Sequence, residues 1–130
     1  MLPTILRLTA PVFVLIGALH LVLGPGAEVL LGAQLPAEAL ADPVLDSQNR
    51  FYGVAFSVYG VLLFLAASDL ERYGPVLKVL LWVFFAGGLA RLVSIALVGW
   101  PPPLVLALTV LELLPPPLLL LWLARLQREA

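Results

Sequence analysis

Cysteine is absent from the sequence, which excludes disulfides, iron–sulfur clusters, thiolate metal sites and dithiol redox chemistry. Histidine occurs once, at His20, and methionine once, at Met1. A usual metal or haem coordination set is therefore lacking, and no metal or cofactor is expected. Charge is scarce too: seven Lys and Arg stand against eight Asp and Glu, 12% of the 130 residues, for a net charge of −1. No basic tract is left to neutralise phosphates, which argues against nucleic acid as a partner. Apolar residues fill the space, at 62% of the chain with a mean hydropathy of +1.09, well outside the range of a soluble domain. This is the composition of an integral membrane protein in contact with membrane lipid.

The apolar residues fall into four runs, each long enough to cross a bilayer as a helix: about residues 4–23, 49–68, 76–99 and 104–123. The expected fold class is all-α, a transmembrane four-helix bundle forming a single domain over residues 1–130. The longest interruption, residues 24–48, opens with the breaker Gly24-Pro25-Gly26 and carries Glu28, Glu38, Asp42 and Asp46 without a single Lys or Arg. Its piece from Glu28 to Leu35 is too short to span and too apolar for a free loop, so it is expected on the membrane surface or folded over the bundle. A short polar connection, Asp69 to Pro75, leads into the third run, and Pro101-Pro102-Pro103 turns the third into the fourth. Gly53, Ser57 and Gly60 form a stripe of small residues that admits another helix at close range. Pro115-Pro116-Pro117 removes three backbone donors, freeing the carbonyls of Leu111, Glu112 and Leu113, so the fourth helix is expected to kink there.

The least expected residue is Arg91. It stands midway between Trp82 and Trp100, and tryptophans favour membrane interfaces. Nine residues at helical rise place it about 13 Å from either one, near the midplane. A central arginine costs about 2.5 to 3.5 kcal/mol on insertion scales and calls for a partner. Glu112 is the one carboxylate inside any apolar run. Arg91 lies ten residues before Pro101 and Glu112 nine after Pro103, so two antiparallel helices joined there bring them to equal depth and an ion pair is expected. Ser94 and Thr109, each three residues from a charge, share the two faces and are candidates to satisfy it. Such a pair either fixes helix register or serves a site, since replacing both partners by apolar residues is often neutral for stability.

A second polar group gathers at the outer mouth. His20 is near the end of the first run, Asn49 and Arg50 open the second, and Tyr52 and Tyr59 follow on the Asn49 face. With Arg91 and Glu112 they sketch a polar funnel from the outer surface to the midplane; separately, each suits an ordinary interfacial or helix-contact role. Arg7, Arg72, Lys78, Arg125 and Arg128 flank the runs on one side and only Arg50 the other, which predicts cytoplasmic termini.

The run Leu45-Asp46-Ser47-Gln48-Asn49-Arg50-Phe51-Tyr52-Gly53, with Ala90-Arg91-Leu92-Val93-Ser94 and Leu111-Glu112-Leu113, resembles a family of four-span bacterial membrane proteins known as domain of unknown function 4345. The resemblance covers nearly the whole chain. It implies a four-helix, multi-pass domain in a bacterial inner membrane and supplies no activity.

Three readings of function follow. The leading one is a helical binding module with a polar pocket opening to the outer face. In it Arg91, Glu112, Arg50, Asn49, His20, Tyr52, Tyr59, Ser94 and Thr109 meet the head of a small amphipathic or anionic molecule or lipid. The second is an accessory or assembly subunit whose small-residue faces pack against a second copy or a membrane partner. The third is a membrane-embedded enzyme using Glu112 or His20 as acid or base.

Overall fold

Inside lipid every backbone N–H and C=O must be satisfied within its own segment or a neighbour, so the apolar runs have little choice but to wind into helices. The computed structural model describes residues 1–129, and the chain is 87% helical with no strand among the described residues. Seven helices follow in order: α1 Leu2–Leu23, α2 Gly26–Leu30, α3 Ala37–Leu40, α4 Pro43–Ser68, α5 Leu70–Val98, α6 Pro103–Leu113 and α7 Pro115–Glu129. α1, α4, α5 and the α6–α7 run are each long and apolar enough to cross a membrane. These four long helices are of the helical-bundle class, and the last is bent by 24°. The bend falls at Leu114, where the three prolines withhold their donors.

Two helices outgrow the stretches expected to span. α4 starts at Pro43, six residues before Asn49, because Asp42 accepts from the Leu45 N–H (2.8 Å) and so caps its first turn. The polar connection expected from Asp69 to Pro75 shrinks to one residue. Asp69 is the N-cap of α5, its carboxylate accepting the Arg72 N–H at 2.9 Å, and Glu71 sits in the first turn where an acid suits the helix dipole. Polarity there marks a helix start in water, not a loop.

The chain divides into two compact units, one over Pro3–Ser68 and one from Asp69 onward. In the first, α1 and α4 run antiparallel in close contact, and the small residues Gly53, Ser57 and Gly60 are the reason. A Cβ on Gly53 would lie 2.7 Å from the Gly17 carbonyl oxygen, and one on Gly60 would lie 2.7 Å from that of Ala10. The partner admitted by the stripe is thus α1 of the same chain. α2 folds back, burying Ala27. In the second unit α5 packs antiparallel on α6 and α7, with Gly88 so close that a Cβ would sit 2.8 Å from a Leu113 methyl. The connection from α5 to α6 turns at Gly99, whose φ of 117° suits glycine.

Candidate functional site

In the second unit, Arg91 Nε donates to Glu112 Oε2 at 2.7 Å. Gly88 makes room for this contact on α5, since a Cβ there would approach Glu112 Cβ to 3.0 Å. The two side chains differ in exposure: Glu112 is 10% exposed and Arg91 37%. The carboxylate is the sunken anchor and the guanidinium the face presented outward. Only one of the five guanidinium N–H groups is used by Glu112, which leaves the Nη edge available. The two hydroxyls expected to satisfy the pair do otherwise. Thr109 is buried and donates back to the Val105 carbonyl at 2.9 Å, and Ser94 is exposed on α5. Just past the pair, the carbonyls of Leu111, Glu112 and Leu113 lack their usual helical donors, because residues 115–117 are proline.

In the first unit the polar residues form two small clusters. His20 is buried, and its Nδ1 lies 2.8 Å from the Ile16 carbonyl. A carbonyl only accepts, so Nδ1 carries a proton there. Nε2 then faces Glu28 Oε1 at 3.4 Å. The ring also stacks on Phe56. Arg50 forms a bidentate pair with Asp46, Nε to Oδ2 at 2.8 Å and Nη2 to Oδ1 at 3.0 Å, while its Nη1 donates to the Leu21 carbonyl. That carbonyl lacks its helical donor because residue 25 is proline, so Arg50 caps the end of α1. Asn49 is 8% exposed; its Nδ2 donates to the Leu45 carbonyl at 3.0 Å, and its Oδ1 is buried without a partner. Tyr59 packs on Phe13 with ring centroids 4.7 Å apart, and Tyr52 is exposed, edge-on to Phe51.

The structure therefore brings Arg91 to Glu112 and Arg50 to the end of α1, and it adds two acids, Glu28 and Asp46, that were read only as parts of an acidic segment. The Asp46–Arg50 spacing of four was a readable signal. Nothing in the spacing of His20 and Glu28, across Gly24-Pro25-Gly26, announces their contact. Among the described residues no group of three or more His, Asp or Glu side chains is placed to hold a metal ion.

Four helices long and apolar enough to cross a membrane define a multi-pass integral membrane protein. The chain matches the family described as Domain of unknown function (DUF4345) over residues 1–123, and it belongs to that family. No curated protein and no solved structure matches it.

Proposed function

We propose that the protein is a small binding module of a bacterial inner membrane, in which Arg91, held in place by Glu112, receives the polar head of an amphipathic or anionic small molecule. The observation that carries this reading is the asymmetry of the pair: the carboxylate is sunk and the guanidinium, with most of its donors unspent, is over a third exposed. An arginine serving register alone has no need of a free edge in an apolar setting, where unpaired donors are costly. Arg50 is the weaker candidate, since Asp46 and the Leu21 carbonyl already take its three kinds of donor nitrogen.

Both termini lie in the cytoplasm in this reading, as the basic flanks dictate, and the pocket opens to the opposite face. A reporter fused to the C-terminus is then cytoplasmic and one inserted near Asp42 periplasmic; the reverse labelling overturns that orientation. The ligand is tested by solvent extraction and mass spectrometry of small molecules retained by the purified protein. The Arg91→Leu, Glu112→Leu double variant, which removes both charges together, is expected to accumulate normally and lose the retained molecule. Retention at native stoichiometry makes the pair a register device.

A further inference from the structure

A different region, resting on none of the residues around Arg91, carries a second inference. In the first unit, Pro11, Val14 and Leu15 of α1 face Gly60, Val61 and Phe64 of α4 across an open groove of about 450 Å³ with almost wholly apolar walls. The groove follows from the close approach of the helices. Gly60 meets the Ala10 backbone and adds no side chain to fill the trough, while Phe64, Val61 and Leu15 stand up beside it, each more than half exposed.

One end of the groove is charged. Arg7 lies one turn before Pro11 on the same face of α1, and its Nη2 donates to the Ala67 carbonyl at 3.4 Å, which draws the guanidinium across to α4 one turn beyond Phe64. That single long bond leaves the other N–H groups of Arg7 unspent, and among the described residues no carboxylate pairs with it. Pro11 has no N–H, so the carbonyl of Arg7 also lacks its helical donor and is open to a hydroxyl.

We propose that the groove holds one acyl chain of an anionic phospholipid whose phosphate rests on Arg7. Charge selects this occupant. A helix from a second copy would have to set an acid from beyond its apolar run against Arg7 and an apolar ridge in the groove at once, since the only carboxylate within the apolar runs, Glu112, is already committed to Arg91. A phospholipid brings the phosphate at interface depth and the chain below it in one molecule.

The test uses the full-length protein, delipidated in a maltoside detergent and titrated with phosphatidylglycerol and phosphatidylcholine of identical chains, with bound lipid counted by native mass spectrometry. The native protein is expected to retain one phosphatidylglycerol in preference to phosphatidylcholine. Arg7→Gln should lower that preference about fivefold, the worth of one basic residue at an anionic surface, and Arg7→Lys should keep most of it. Val61→Trp, at an exposed wall position, should lower retention of both lipids with helix content unchanged by circular dichroism. Equal retention of the two lipids by the native protein overturns the proposal, as does undiminished lipid on Val61→Trp. A lipid-free dimer that Val61→Trp converts to monomer assigns the groove to a second copy instead.

Discussion

The two units solve the same problem, a polar group within an apolar chain, in opposite ways. In the unit of α1 and α4, charge collects where helices end. Arg50 replaces the donor that Pro25 cannot give, and Asp46 holds it there, both side chains being 40% or more exposed. In the unit of α5, α6 and α7 the charge is inside the helices, paired at 2.7 Å with Glu112 almost covered. Exposed pairs contribute little because water and salt screen them, whereas removing one partner of a covered pair strands the other. Position along the helix, more than the chemistry of the pair, thus decides how much the fold depends on it.

The sharpest way to break this contrast is Glu112→Ala. It should destabilise the protein by about 3 kcal/mol, the lower end for a covered pair because Arg91 is partly exposed, and be read as a lowered thermal midpoint in detergent. If Arg91→Leu with Glu112→Leu restores the midpoint, the loss came from the stranded cation; if it does not, the packing around Gly88 is at fault.

Next in size is Gly53→Ala in the first unit. Its new Cβ would meet backbone atoms of Gly17 and Leu21 within 2.8 Å, which side-chain rotation cannot relieve, so a loss of about 1 to 3 kcal/mol is expected from overpacking. Gly87→Ala in the second unit is the matched control. The nearest atom to its new Cβ, a Glu112 carboxylate oxygen, is 4.0 Å away, and stability should hold or rise by about 0.5 to 1 kcal/mol through helix propensity. Equal losses at both glycines would mean that close helix contact is not what distinguishes them.

The smallest effect is expected for Asp46→Asn, which weakens an exposed pair four residues apart. Its cost should stay below about 1 kcal/mol and shrink further in high salt. A loss rivalling that of Glu112→Ala would show that capping α1 through Arg50 matters far more than exposure suggests.

Much of the architecture was legible beforehand because it follows from local chemistry. Four apolar runs become four long helices since lipid leaves the backbone no other partner, and three consecutive prolines bend the last one by 24° since they withhold donors from its ladder. The Arg91–Glu112 contact was legible for a simpler reason: residues counted outward from one turn on two antiparallel helices reach the same level. Counting gives level and face, and those two coordinates suffice when only one acid is within reach.

Tertiary structure alone decided the rest. Thr109 satisfies its hydroxyl on Val105 and Ser94 stands exposed, because a hydroxyl in a helix has a backbone carbonyl always at hand and periodicity cannot say which acceptor wins. Glu28 reaches His20 only because the chain reverses at Gly24, with φ of 54°, and returns as α2. The glycine stripe of α4 is spent on α1 rather than on a partner protein, a choice among equally apolar faces that only packing settles. Composition and spacing determined that this chain is a four-helix membrane protein with one charge pair inside it; side-chain rotation and chain reversal, which leave no periodic trace, decided which polar atoms meet and which do not.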